Sequence, residues 1–284
     1  MSTEATPPFR HILYQCDAGV ARITLNQPER RNPLSAAPDG NRSEIITALR
    51  QAGEDNAIGC ILIDAAGPTF SAGGDLQGNP RRDTVLDDYL FMQQAEAFHA
   101  SLRDAAKPVI ASVHGFCLGA AMDMIAQCDI TIAAAGARFG LVEGRMGLAG
   151  AAALIGRIDP HWAKYLIFTG EMISARRARR IGLVLEVVPD DALAARSTDL
   201  AQRIARMPRE ALLLNKATIN RVQDAAGAAS GRLVGLATEA ITTRMAASAR
   251  APDGRMFRDI IRADGMRGVR QAQEQQYSLP WLDD

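Results

Sequence analysis

What is scarce in this chain narrows its function first. Its 284 residues contain only four cysteines, Cys16, Cys60, Cys117 and Cys128, and no two stand at the spacing of a metal-binding or redox pair. Free, buried thiols in a reducing compartment follow, which places the protein in the cytoplasm. His11, His99, His114 and His161 have no neighbouring donors that would complete a metal site, so no metal is expected. Thirty-two basic residues balance thirty-two acidic ones. A neutral protein has no general field to draw nucleic acid or an anionic membrane. No apolar run approaches the roughly 20 residues that a membrane-spanning helix needs, and the polar residues 1–8 lack the apolar segment of a signal peptide. Internal repeats and low-complexity tracts are also missing.

What is present is a chain with 48% hydrophobic and 23% charged residues, long enough to bury a full core. Two strand-like stretches, Ile12 to Cys16 and Val20 to Leu25, flank Asp17-Ala18-Gly19 and predict a hairpin. Helical spacing marks Ser43 to Ala52 and Thr84 to Ala105. A short apolar run at Ile58 to Ile63 predicts a strand buried on both faces, and Pro108 to Val113, Asp129 to Ala133 and Leu183 to Val188 predict further strands. The alternation argues an α/β core with crossover connections. From Asp190 strand signals vanish, and helices are predicted over Leu193 to Met207, Glu210 to Asp224, Leu233 to Ala246 and Phe257 to Arg262. Their apolar stripes call for a partner surface.

Two glycine turns carry the chemistry. One is Phe70-Ser71-Ala72-Gly73-Gly74-Asp75-Leu76. The other joins a buried strand to a helix, Gly119 to Gln127, that carries Asp123; twenty residues after Asp123 comes Glu143, amid apolar neighbours. Glycine lets a ligand approach the backbone closely, and a helix N-terminus adds a positive dipole end. Apolar surroundings raise the pKa of a carboxyl group, as an acid/base catalyst requires. Such a site can polarise a carbonyl and move protons beside it.

These segments resemble the enoyl-CoA hydratase/isomerase (crotonase) superfamily. The resemblance rests on Leu25-Asn26-Gln27-Pro28-Glu29-Arg30-Arg31-Asn32, the Phe70–Leu76 turn, Lys107-Pro108-Val109-Ile110-Ala111-Ser112-Val113-His114-Gly115 and Leu118-Gly119-Ala120-Ala121-Met122-Asp123. It continues through Cys128-Asp129, Phe139-Gly140 and Gly182-Leu183-Val184. It implies an α/β spiral of ββα units over residues 10–190. Residues 191–284 would form a C-terminal helical region for oligomerisation and site closure, in a homotrimer or a dimer of trimers.

The resemblance also implies an acyl-CoA thioester substrate, with coenzyme A as part of that substrate and no separate cofactor. The N–H groups of Gly74 and Ala120 would bind the thioester oxygen. Glu143 and Asp123 would be the catalytic acids. Arg30, Pro33, Leu34, Ala72, Gly73, Asp75, Leu76, Gly119 and Val142 would contact substrate, with Arg31 and Asn32 near the coenzyme A moiety. Residues of the Thr84 to Phe98 helix would line the acyl tunnel. The chain departs from the family pattern in having alanine at 120 and 121, aspartate at 123 and proline at 33. Family members that dehalogenate aryl groups or isomerise dienes carry an aspartate eight residues after the glutamate, where this chain has Ala151.

The leading expectation is hydration of a 2-enoyl-CoA by Glu143 and Asp123. Isomerisation of an enoyl-CoA by Glu143 alone and a non-catalytic acyl-CoA-binding role are the alternatives. Glu143 could instead pair with Arg145 at the rim. The run Arg176-Arg177-Ala178-Arg179-Arg180 is expected to be a solvated helix face, and His114 a structural residue.

Overall fold

A computed structural model describes residues 9–273 apart from 77, 79–81, 149, 151 and 155. The segment 1–8 and Ala151, both considered above, lie outside the described residues. The chain opens with strands β1 (Ile12–Asp17) and β2 (Val20–Leu25), paired antiparallel from Ile12↔Leu25 to Asp17↔Val20. Their two-residue turn holds Ala18 at φ 47° and Gly19 at φ 79°, the left-handed pair that matches the twist of a hairpin. Helix α1 (Asn41–Glu54) and strand β3 (Cys60–Ala65) follow. Helix α2 (Val85–Arg103) starts at a reciprocal cap between Thr84 and Asp87. Next come β4 (Val109–Val113), β5 (Phe116–Leu118), α3 (Ala120–Gln127), β6 (Ile130–Ala134) and β7 (Arg138–Gly140). Helix α4 (Pro160–Thr169), β8 (Met172–Ser174), α5 (Ala175–Arg180) and β9 (Glu186–Val188) complete the mixed part.

The strands form two sheets. The larger has the order β1-β2-β3-β4-β6-β9, parallel from β2 onward, and the smaller the order β5-β7-β8. A simple repeat generates both. Strands β2, β3, β4 and β6 of the large sheet are each followed by a short extended segment that turns into the second layer. Leu34 then bridges Gly74, Ser71 bridges Cys117, and β5 pairs with β7. These second-layer segments bring the glycine turns side by side at one edge of the core. β4 is buried along its whole length, as expected of a parallel strand covered on both faces.

Four helices follow: α6 (Leu193–Ala205), α7 (Arg209–Ala225), α8 (Ala228–Ala246) and α9 (Phe257–Ala272). α6 covers one face of the large sheet, where Ser197 Oγ donates to Ser112 Oγ at 2.9 Å. α8 packs along α2. Lys216 of α7 reaches into the core and pairs with Asp129 at 2.8 Å.

The structure corrects parts of the sequence reading. The last strand of the large sheet begins at Glu186, not Leu183, because the N–H groups of Leu183 and Val184 donate to the Ala178 carbonyl (3.0 and 3.2 Å) and close off α5. The final helix runs ten residues past Arg262 to Ala272, across a break at Gly265 (φ 61°). β5, β7 and β8 have three residues each, too few to show a periodicity. Cys16 is exposed on the edge strand, whereas the other three thiols are buried. Arg176, Arg179 and Arg180 face outward from α5 and Arg177 lies over the Trp162 ring at 5.5 Å, so the basic run is a solvated face.

Candidate active site

The first glycine turn is fixed by Asn32. This residue is fully buried at φ 51°, a conformation that asparagine tolerates better than most side chains. Its Nδ2 donates to the carbonyls of Ala66 (2.9 Å) and Thr69 (2.8 Å), and its Oδ1 accepts from Gln27 N–H at 2.8 Å. Its own carbonyl accepts from Ser71 Oγ at 2.7 Å, while that oxygen accepts from Gly73 N–H at 3.1 Å. The loop that was expected to touch coenzyme A is therefore anchored onto the glycine turn.

The bridge between Leu34 and Gly74 sets the direction of the Gly74 amide. Leu34 N–H donates to the Gly73 carbonyl (2.7 Å) and Asp75 N–H to the Leu34 carbonyl (3.2 Å). Successive peptide groups of an extended chain point to opposite sides, so Gly74 N–H points away from Leu34. It has no acceptor among the described residues, and a Cβ on Gly74 would meet open space.

The second turn lies against the first. A Cβ on Gly73 (φ 96°) would stand 2.6 Å from the Leu118 carbonyl oxygen and 3.4 Å from the Ala120 nitrogen. Only glycine allows that approach. Gly119 holds φ 52° and ψ −125° and donates its N–H to the Gly140 carbonyl at 2.9 Å. Ala120 is the first residue of α3, so its N–H is one of the amides a helix leaves unpaired. It too lacks an acceptor among the described residues. Two adjacent turns thus present two unpaired amides, and the positive end of α3 lies behind one of them.

Both acids reach this place. Asp123, in the first turn of α3, is 7% exposed, and its Oδ1 is enclosed with no hydrogen-bond partner among the described residues. Glu143 sits in a short 3-10 turn (Val142–Met146) just after β7. Gly144 packs against the Ile167 carbonyl of α4, which leaves no room for a side chain. Glu143 is half-buried as a whole, but its Oε2 is enclosed and unpartnered. That oxygen stands 3.0 Å from where a Gly119 Cβ would be, and Oε1 2.7 Å from where a Gly150 Cβ would be. The carboxylate is seated on bare backbone beside the amide turn.

Burial dominates the electrostatics. Desolvation pushes the Glu143 carboxyl up to about 8, with a smaller contribution from Glu239. Asp123 is raised well above the usual carboxylate range, first by desolvation, then by Glu239 and Glu143, against the opposing charge of Arg42. Arg145 does not pair with Glu143 and instead donates its Nε to the Gly170 carbonyl at 2.8 Å. With its carboxyl near 8, Glu143 can therefore hold or release a proton near neutral pH.

The remaining expected residues lie around these turns. Ala72 and Leu76 are exposed, Gly73 and Gly119 buried, and Val142 half-buried next to Glu143. Leu34 and Pro33 are buried, so their side chains face the core and only their backbone borders the turn. Arg30 donates to both oxygens of Asp75 (3.0 and 3.1 Å), which also takes the Gly78 N–H at 2.9 Å. Arg31 is exposed. His114 contacts the Gly67 carbonyl at 2.7 Å, a structural role.

Sequence reading missed a second polar cluster behind Asp123: Arg42 of α1, Glu96 and His99 of α2, and Arg232 and Glu239 of α8. The spacing Arg232, Leu236, Glu239 places these side chains on one helical face, and that pattern was the available signal.

Comparison with known proteins fits this geometry. Residues 15–241 match the family model described as enoyl-CoA hydratase/isomerase. A probable enoyl-CoA hydratase of Rhizobium meliloti is 33% identical over 220 residues, covering 75% of this chain and 82% of the relative. The 2,3-dehydroadipyl-CoA hydratase of Escherichia coli is 32% identical, covering 73% and 80%. The crystal structure of an enoyl-CoA hydratase/isomerase from Xanthobacter autotrophicus Py2 superposes with a TM-score of 0.86 at 30% identity, over 95% of this chain and 99% of that one. With the fold, the paired glycine turns and the match over most of its length in agreement, the chain belongs to the enoyl-CoA hydratase/isomerase (crotonase) superfamily.

Proposed function

We propose that the protein hydrates a 2-enoyl-CoA thioester. One observation carries this reading above all: two enclosed, unpartnered carboxylate oxygens, on Asp123 and Glu143, stand beside two amides without acceptors, on Gly74 and Ala120. The amides would receive the thioester oxygen and stabilise the negative charge that develops on it. Glu143 and Asp123 would activate a water for addition at C3 and deliver a proton to C2. With a pKa of about 8, Glu143 is available in both protonation states near neutrality.

Arg31 is exposed and would meet coenzyme A phosphates, while Arg30 is held by Asp75. Coenzyme A enters as part of the substrate, and addition of water to the double bond calls for no metal or redox cofactor. The helices from residue 191 onward would serve assembly. α7 and α8 expose Leu214, Ile219, Val222, Leu233, Val234 and Met245, an apolar surface suited to a homotrimer or a dimer of trimers. Among the described residues no helix is long and apolar enough to cross a membrane, and the buried free thiols favour a cytoplasmic location.

Isomerisation by Glu143 alone is the nearest rival, since that acid is also the one seated on the amide turn. Turnover of crotonyl-CoA in ¹⁸O-labelled water separates the two. Label in a 3-hydroxyacyl product supports hydration; a shifted double bond without label replaces it with isomerisation. Tight binding without turnover of any enoyl thioester would leave only an acyl-CoA-binding role.

A further inference from the structure

Beside Asp123, α2, α3 and α8 border a cavity of about 30 Å³ lined by Glu96, His99, Asp123, Arg232 and Glu239 and, for the other half, by apolar side chains that include Met92 and Leu236. That is room for about two water-sized groups. Glu96 and Arg232 satisfy each other at 3.0 Å, and Arg232 also holds Asp224 at 3.1 Å. Asp123 Oδ1 and His99 Nε2 in this lining are enclosed without a partner among the described residues, as are Nε and Nη1 of Arg42, which lies outside the lining. The Arg42 charge acts on both Asp123 and Glu239, and its guanidinium lies 5.5 Å from the centre of the Phe98 ring. Donors and acceptors are thus gathered around one small space without bonding to each other.

We propose that this chamber binds an uncharged hydrogen-bonding substituent of the acyl group, a hydroxyl or a keto oxygen, recognised by His99 and Glu239. The inference rests on the acyl-CoA reading above and names a substrate class for it. An alkyl group there would strip these polar atoms of water and give them nothing in return. A carboxylate would face Asp123, Glu239 and Glu96. An ammonium would face Arg232. A neutral group that both donates and accepts meets neither objection. The protonation states agree: burial holds His99 neutral, with its pKa lowered to about 3, and raises Glu239 to about 7.

The test is a panel of 2-enoyl-CoA thioesters from five to eight acyl carbons. At each length the terminal group is methyl, hydroxyl, ketone or carboxylate, and kcat/KM is measured with the full-length protein. At one length the hydroxyl or ketone member is expected to exceed its alkyl partner by at least about tenfold, with the carboxylate poorest. Glu239→Leu and His99→Leu should abolish that preference, and Glu239→Gln, which still donates and accepts, should retain it. An alkyl preference at every length in the wild-type protein overturns the proposal whether or not the variants fold. If no enoyl thioester turns over, titration calorimetry with matched hydroxyacyl- and alkanoyl-CoA still decides. Tighter hydroxyacyl binding then upholds the chamber while the hydratase reading falls, and equal binding removes both.

Discussion

The Glu143 carboxylate lies over the bare side of Gly119: a methyl group added to Gly119 would stand 3.0 Å from Oε2 and 3.6 Å from Oε1. Gly119 is also the residue that turns the chain into α3 at φ 52°. Gly119→Ala should therefore act twice. Alanine at φ 52° and ψ −125° lies outside the regions L-residues normally occupy and costs about 1–3 kcal/mol, and the new methyl group pushes the acid off its seat. We expect kcat to fall by about 10²-fold, as a misplacement of about 1 Å can cause, and Tm to fall by a few degrees. Steady-state kinetics and calorimetry read the two effects separately. Full activity in a folded variant would mean that this contact does not position the acid.

Glu143→Gln should remove both activity and a pH dependence of stability. The folded carboxyl titrates near 8 against an ordinary value of 4.5. Below about pH 4.5 folded and unfolded chains both hold this proton, so the group costs nothing there. As pH rises from 4.5 towards 8 the unfolded chain alone releases it, and the folded state loses stability until the folded group ionises as well. The variant, which has no proton to lose, should gain on the wild type across that window, by on the order of a few kcal/mol at pH 8. Denaturation midpoints from pH 4 to 9 give the comparison. A constant difference across that range would show that Glu143 is not desolvated. In the kinetics, the ionisation near 8 should vanish from what remains of the kcat/KM profile.

How much of this was legible in the sequence depends on the range of each signal. The hairpin, α1, α2 and β4 announce themselves through local turn chemistry and periodicity, and the structure places them within a few residues of the reading. Glu143 stood out as one carboxylate among apolar neighbours, and its enclosed Oε2 has that character. Two kinds of feature stayed hidden. The three-residue strands of the small sheet arise only when a neighbour supplies the pairing, so nothing local marks them. Glu239 is one acid on an alanine-rich helix, and it gains meaning only because α8 packs on α2 and brings it to the cavity that Asp123 lines.

Asn32 shows the same limit at a single residue. Its motif pointed to coenzyme A, yet the side chain is fully buried and ties the loop to Gln27, Ala66 and Thr69. Asn32→Ala removes three hydrogen bonds and leaves buried backbone groups unpaired. It should cost about 2–4 kcal/mol at roughly 1 kcal/mol or more per bond. Because the loop also anchors the Gly73–Gly74 turn through Ser71, kcat should fall along with Tm. Urea denaturation and initial rates together test this. A stable variant whose only change is a higher KM would return Asn32 to the role of a ligand contact.

Assembly can be tested at the apolar face of the last helices. Leu214 on α7 and Leu233 on α8 are 67% and 68% exposed, alongside Val234 at 66% and Met245 at 66%. Side chains of this size gain about 1.5–3 kcal/mol each when removed from water, so a surface carrying several of them favours a partner. A second copy of the chain fits the trimer proposed above. Light scattering of the full-length protein should give a mass three or six times the 30.5 kDa of the chain. Introducing charge with Leu214→Glu and Leu233→Lys should shift the protein towards the monomer without changing its circular dichroism. A wild-type protein that runs as a monomer at micromolar concentration would rule out the trimer and assign that face to another partner.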